Sequence, residues 1–202
     1  MPDRKRSVES GVVPFVPSPH LLLIPGSLRA KSTNAAVLRT VEKMASKEAT
    51  LTFYQGLGAL PHFNPDDDGG TLPVAVQDLR QRIRDADAIL FSVPEYAGGL
   101  PGSFKNLLDW TIGDAERGSI YEKPVAWINA SPRGAVNAHD SLRRVLSYAH
   151  AVIIEPACVD VPVSAAAVGN DGLVVDPSSR ELIGRAVGHL LASVTNRTRP
   201  VT

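Results

Sequence analysis

Short apolar runs alternate with longer amphipathic segments along most of this chain. The runs are rich in branched aliphatic residues and are bounded by Gly, Pro or Asp, which is typical of buried strands. They lie at Leu21–Ile24, Thr50–Tyr54, Ala88–Val93, Val125–Asn129 and Val152–Val161. Parallel strands need a long crossover connection, which is usually a helix, so strands that alternate with helices are expected to pair in parallel. The repeated β, α order therefore predicts one α/β domain with a five-stranded parallel sheet.

The segments between the strands carry apolar residues at the three- and four-residue spacing of helices. We predict helices from about Ser32, over Val74 to Asp85, after Pro101, over Ala138 to His150 and over Ser178 to Val194. An open parallel sheet binds ligands at the carboxyl ends of its strands. The loops that follow the strands are therefore the expected place for a functional site.

Composition excludes several classes of partner. The 21 basic and 21 acidic residues cancel, so charge gives no reason to expect a nucleic-acid partner. No segment approaches the roughly 20 apolar residues that span a bilayer, and the single cysteine, Cys158, cannot form an intramolecular disulfide. We therefore expect a cytoplasmic protein without a membrane partner. The expected organisation is a flexible N-terminal arm at 1–18, the domain at 19–196 and a C-terminal tail at 197–202.

No metal site is predicted, since the five histidines show no pair at ligand spacing and no partnering thiols. The segment "NPDDDG", Asn64 to Gly69, is similar to the start of a calcium loop. However, Ala75 stands at the twelfth position, where that loop needs Glu. We interpret the segment as a flexible polar loop.

The first apolar run leads into the polar stretch "GSLRAKSTN", Gly26 to Asn34, directly before a predicted helix. Backbone N–H groups and the positive end of the helix dipole converge there, which favours an anion of phosphate size. Spacing disfavours a P-loop and a dinucleotide fingerprint, because Ala30 and Leu28 stand where those motifs need Gly. A polar turn capped by serine is the alternative. The candidate anion contacts are Ser27, Arg29, Ser32, Thr33 and Asn34.

The loop after the third run reads "PEYAGG", and a helix is predicted after Pro101. Pro94 and Tyr96 give rigid apolar surface, while Gly98 and Gly99 let main-chain groups approach a flat ring. A tricyclic flavin would fit such a surface.

The two loops together resemble the NADPH-dependent FMN reductase family of flavodoxin-like proteins. Gly26-Ser27-Leu28-Arg29 with Ser32 and Asn34 is similar to its phosphate loop. Pro94-Glu95-Tyr96 through Pro101-Gly102 to Lys105-Asn106 and Asp109-Trp110 is similar to its isoalloxazine loop. The resemblance runs from about Leu21 to Ser193. It implies a flavodoxin-like three-layer sandwich with strand order 2-1-3-4-5.

By this resemblance, the first loop holds the phosphate of FMN. The ring is bordered by Pro94, Glu95, Tyr96, Ala97 and Gly98, and a third contact is implied at Ser131, Arg133 and Gly134. The chain departs from the family at Ala97, where Asn is common. It is open whether Glu95 contacts the ligand or caps a helix. Arg29 and Arg133 are candidates for the additional phosphate of NADPH.

The resemblance also implies an FMN-dependent NAD(P)H oxidoreductase with a ping-pong mechanism. NADPH would reduce FMN and then be replaced by a quinone, azo compound, free flavin or metal oxyanion. No catalytic side chain is expected, because the flavin carries the chemistry. Family members commonly pair through the helix that carries Trp110, which implies a homodimer or homotetramer. The resemblance therefore favours a place for Trp110 in the subunit interface and not in the core of the subunit. A non-enzymatic electron carrier and a flavin-free interaction module are the alternatives.

Overall fold

The computed structural model describes residues 18–198 of the 202. The predicted N-terminal arm, 1–18, and C-terminal tail, 197–202, lie almost wholly outside these residues. Both boundaries therefore stay predictions.

A parallel sheet forms the middle layer of the described chain. Its strands are β1 (His20–Pro25), β2 (Thr50–Phe53), β3 (Ala88–Ser92), β4 (Pro124–Asn129), β5 (Val152–Ile153) and β6 (Val159–Asp160). The order β2-β1-β3-β4-β5 confirms the prediction, and β6 pairs with β4 as well. β1 and β3 are paired from Leu21 with Ala88 to Pro25 with Ser92. The loops that follow these two strands therefore start side by side.

The predicted fifth strand is divided in two. Glu155–Ala157 forms a short 3-10 turn inside it, where Pro156 has no N–H group to give to a ladder. β5 pairs with the start of β4, and β6 pairs with its end. The sheet therefore has six strands in five positions, and not the five continuous strands predicted.

Helices cover both faces of the sheet. They are α1 (Thr33–Ala45), α2 (Val74–Asp85), α3 (Gly102–Ile112), α4 (Val136–Tyr148) and α5 (Pro177–Thr198). One hydrophobic cluster packs α1 and α5 against the sheet, and a second packs α2, α3 and α4 against its other face. Leu21 and Leu23 point into the first cluster, Leu22 and Ile24 into the second, as strand alternation requires. The predicted α/β sandwich is confirmed. None of the helices in residues 18–198 combines the length and the hydrophobicity that a membrane span requires.

Trp110 belongs to the core of the subunit and not to its surface. The side chain is fully buried, and its ring meets Phe63 edge to face at 5.0 Å between centroids. Its Nε1 donates to the Pro61 carbonyl at 2.9 Å. Asn106 also donates to that carbonyl, at 2.8 Å. The role of these α3 residues is therefore to hold the segment after β2, and the interface expectation for Trp110 is wrong.

Two side chains of the calcium-like loop, Asn64 and Asp68, bond to other groups of the protein. Asp68 forms an ion pair with the buried Arg80 at 2.6 Å, and Arg80 Nε donates to the Trp110 carbonyl at 2.9 Å. Asn64 accepts a hydrogen bond from the Asp66 N–H. Between residues 18 and 198, no cluster of His, Cys, Asp and Glu has the geometry to hold a metal ion. Burial raises the pKa of the Cys158 thiol to about 11, which disfavours the thiolate.

Candidate functional site

One cavity at the carboxyl ends of β1, β3 and β4 brings together most of the predicted site residues. Its volume is about 310 Å³, within the range of about 300–1,000 Å³ for small-molecule sites. Three loops line it, following β1, β3 and β4. Ten of the thirteen predicted residues lie on its wall: Ser27, Arg29, Ser32, Thr33, Asn34, Pro94, Glu95, Tyr96, Ser131 and Arg133. The others, Ala97, Gly98 and Gly134, lie in the same loops but off the wall.

The end of β1 lies directly against the end of β3. Gly26 donates its N–H to the Ser92 carbonyl at 2.8 Å. A Cβ atom at position 26 would stand 2.7 Å from Val93 Cγ1, so only glycine fits without a shift of the backbone. This close approach places the first two loops on one cavity.

The start of α1, on the cavity wall, has the geometry expected of an anion site. Ser32 caps the helix, and its Oγ accepts the Ala35 N–H at 3.3 Å. The N–H groups of Thr33 and Asn34 have no acceptor among residues 18–198, as is usual for a first helical turn. These N–H groups, together with the helix dipole, favour a bound anion.

Ser27 connects the first loop to the second. Its Oγ lies 3.1 Å from Tyr96 Oη and accepts the Arg29 N–H at 3.3 Å. The Tyr96 ring stands at the mouth of the cavity with 45% of its surface exposed. Arg29 is also exposed, and its guanidinium has no ion-pair partner in the described chain. Its charge is therefore available to an anion in the cavity.

The second loop turns sharply at Ala97 and Gly98. The N–H of Tyr96 donates to the Gly99 carbonyl at 3.0 Å, and the reverse bond measures 3.1 Å. The two central residues have φ of 50° and 74°, the signs of a type I′ turn. Glycine adopts this conformation freely, whereas alanine is strained in it. The turn leaves the N–H groups of Ala97 and Gly98 without an acceptor among the described residues.

Glu95 caps a helix. Its Oε2 accepts the Ala138 N–H at 3.1 Å, in the first turn of α4. The residue at the N-cap position is Ala135, which has no side-chain acceptor to offer. The capping alternative is therefore observed, and the carboxylate joins the second loop to the third.

Asn129 organises the third loop from below. This buried residue accepts the Ser131 N–H at 3.1 Å and donates to the Gly134 carbonyl and, at 2.8 Å, to Asp160 Oδ1. Gly134 and Ala135 follow with φ of 89° and 47°. Asn129 is not among the predicted site residues, although an amide at the end of an apolar strand is a usable signal. Pro132 and Ala135 were also absent from the predicted set, yet both line the cavity.

His139 supports the third loop from inside α4. Its Nδ1 lies 2.9 Å from the Ala135 carbonyl, and its ring lies 6.2 Å from that of Trp127. Burial lowers the pKa of this histidine, against the raising effect of the hydrogen bond to Ala135. The Nε2 atom is buried without a partner in the described structure. The neutral imidazole therefore suits this environment.

The donor set fits a phosphorylated flavin. The first loop offers N–H groups, hydroxyls and Arg29 to the cavity, and the other two loops offer the apolar rings of Pro94, Tyr96 and Pro132. A flat apolar ring that carries a phosphate has this same division of chemistry.

Comparisons with known proteins agree with this chemistry. Residues 19–166 match the model of the family described as NADPH-dependent FMN reductase. The chain is 31% identical over 165 residues to an NAD(P)H-dependent FMN reductase of Pseudomonas aeruginosa, covering 81% of this chain and 88% of that protein. It is 29% identical over 160 residues to a quinone reductase of Pseudomonas putida, covering 78% and 82%.

A solved structure is similar over nearly the same extent. The flavoenzyme NAD(P)H:(acceptor) oxidoreductase FerB of Paracoccus denitrificans superposes with a TM-score of 0.73 at 26% identity, covering 88% of this chain and 98% of FerB. The chain therefore belongs to the NADPH-dependent FMN reductase family and is a flavodoxin-like oxidoreductase that uses FMN and NAD(P)H.

Proposed function

We propose that this enzyme transfers electrons from NAD(P)H through FMN to a small acceptor of the quinone class, by a ping-pong mechanism. The observation that carries the proposal is the single cavity in which the anion receptor and the apolar ring wall meet. Several relatives are named quinone reductases, and one from Burkholderia, 27% identical, is named 2-hydroxy-1,4-benzoquinone reductase. Quinones are flat, so they suit a face that first receives a nicotinamide ring.

Each loop has its own task in this proposal. The N–H groups of Thr33 and Asn34 and the guanidinium of Arg29 bind the phosphate. Pro94 and Tyr96, which lie on the wall, border the ring. Bound FMN supplies the redox chemistry, accepting a hydride and passing on electrons. No side chain of this chain is required as nucleophile or base.

The spectrum of the flavin tests the proposal. Protein reconstituted with FMN is titrated anaerobically with NADPH and NADH, and the visible flavin absorbance is recorded. We expect one equivalent of NAD(P)H to bleach the flavin band, and a benzoquinone to restore it. Bound FMN that resists both nucleotides would favour an electron carrier, and failure to bind FMN would contradict the assigned site.

Steady-state rates test the ping-pong order. When NAD(P)H is varied at several fixed quinone concentrations, double-reciprocal plots should be parallel, because one face serves both reactants in turn. Intersecting lines would show that both reactants are bound together.

We also propose that the enzyme acts in the cytoplasm as a homodimer. A groove between α3 and α4 is lined by Phe63, Ile112, Val145 and Tyr148, with Lys105, Asp109 and Arg144 as its charged members. Tyr148 is 74% exposed, and opposite charges lie on one patch, which suits pairing of two identical surfaces. Sedimentation equilibrium of wild type and Tyr148→Glu tests the dimer, which we expect the substitution to weaken.

A further inference from the structure

A second cavity shares part of its wall with the flavin site. Its volume is about 400 Å³, and it lies between α1 and the hairpin that spans Val168–Val174. Ser32 and Thr33 line both cavities. The two cavities are therefore adjacent at the start of α1.

The second cavity carries positive charge without a matching acid. Lys31 and Arg39 line it, both exposed, and no acidic side chain does. Asp171 belongs to the hairpin, but its carboxylate turns back to accept the Leu173 N–H at 3.1 Å. Arg39 also stacks on the Phe53 ring at 5.5 Å. That contact holds the guanidinium beside α1.

The wall opposite α1 is preformed. Val174 donates its N–H to Thr40 Oγ1 at 2.9 Å, and the Thr40 hydroxyl donates to the Ala36 carbonyl at 2.8 Å. Thr40 and Val174 are both fully buried. Ala165 and Val168 add apolar surface, and Asn170 adds an amide. An apolar wall, one amide and two cations together suit a flat heterocycle that carries a phosphate.

We propose that this second cavity binds the adenosine 2′-phosphate end of NADPH, with Lys31 and Arg39 as the phosphate contacts. The inference rests on the proposed function, because the nicotinamide end must reach the flavin cavity. Arg29 and Arg133 line the flavin cavity, where the phosphate of FMN competes for them. Lys31 and Arg39 do not line the flavin cavity, so they are free to supply the preference for NADPH over NADH.

The test uses adenosine 2′,5′-bisphosphate as a probe that cannot reduce flavin. Its binding to FMN-loaded protein is measured by titration calorimetry, with adenosine 5′-monophosphate as the probe without a 2′-phosphate. The test variant carries both Lys31→Gln and Arg39→Gln. The single variant Lys31→Gln is compared with it, because it leaves the contact between Arg39 and Phe53 in place. Lys47→Gln, an exposed lysine outside both cavities, is the matched control.

We expect the bisphosphate to bind wild type more tightly than the monophosphate and without releasing FMN. The double variant should bind it at least about tenfold more weakly, while FMN affinity and Lys47→Gln stay at the wild-type level. An unchanged affinity in the double variant would overturn the inference. Release of FMN by the bisphosphate would also overturn it, by placing the probe in the flavin cavity. Wild type that binds no FMN would overturn the proposed function instead.

Discussion

The phosphate side and the ring side of the cavity are built in different ways. In the first loop, 26–34, all residues have negative φ, and the receptor is the ordinary start of a helix. The ring side contains four residues with positive φ: Ala97, Gly98, Gly134 and Ala135. It is held by long-range contacts, from Glu95 to α4 and from Asn129 to Asp160.

This difference separates two kinds of specificity. A helix start recognises any anion of suitable size, because its N–H groups and dipole are properties of the backbone. Strained turns hold one shape only where the surrounding contacts determine it. Under the proposed assignment, the first loop supplies affinity for phosphate, and we expect the other two loops to set which ring and which acceptor fit.

The largest effect is expected from removing the charge of Arg29, the first-loop cation that lines the flavin cavity. Arg29→Ala should weaken FMN binding by about tenfold to a hundredfold, since a hydrogen bond to a charged group contributes about 1.5–3 kcal/mol. Quenching of FMN fluorescence during titration measures the dissociation constant. Arg185→Ala, which removes an exposed arginine of α5, should leave it unchanged. Undiminished affinity in Arg29→Ala would contradict the phosphate assignment.

Removal of the Glu95 carboxylate tests the ring side. Glu95→Ala leaves the first turn of α4 uncapped and should lower the free energy of unfolding by about 1–2 kcal/mol. Glu95→Gln keeps an oxygen acceptor and should lose less. Urea unfolding followed by circular dichroism measures the change. If the alanine variant is as stable as wild type, the hydrogen bond between Glu95 and the Ala138 N–H does not contribute to stability.

A smaller effect, of opposite sign, is expected at Ala97. Asparagine tolerates the left-handed region better than alanine does, so Ala97→Asn should raise the free energy of unfolding by up to about 1 kcal/mol. Ala30→Asn makes the same substitution in the first loop, where φ is negative, and should give no gain. The pair of melting temperatures measures how much strain is confined to the ring side. Equal shifts at both positions would refute that confinement.

The same division explains how far the sequence could predict the molecule. Leu21–Ile24, the loop after it and α1 were predictable, because each depends on neighbours in sequence. The break at Pro156 was visible in principle, yet the run on either side has the composition of one strand. The bond from Asn129 to Asp160 and the capping of α4 by Glu95 join residues 31 and 43 positions apart. A local pattern could mark Asn129 and Glu95 as polar groups in need of partners, but the identity of those partners depends on the packing of β6 and α4.

The smallest effect is expected from His139, through pH. Burial places the pKa of His139 in the folded state below its ordinary value near 6.5. Between those two pKa values the unfolded chain binds more protons, so the free energy of unfolding falls as pH falls through that window. One proton limits the slope to about 1.4 kcal/mol per pH unit.

Unfolding of wild type, His139→Gln and His189→Gln between pH 7 and 5 measures this contribution. His189 is exposed on α5, so its variant should keep the wild-type slope. His139→Gln should show a smaller loss of stability on acidification, because it cannot take up the proton. Glu95, Asp140 and Asp160 favour the charged imidazole and so oppose the effect of burial. Equal slopes in all three proteins would show that these carboxylates cancel the effect of burial.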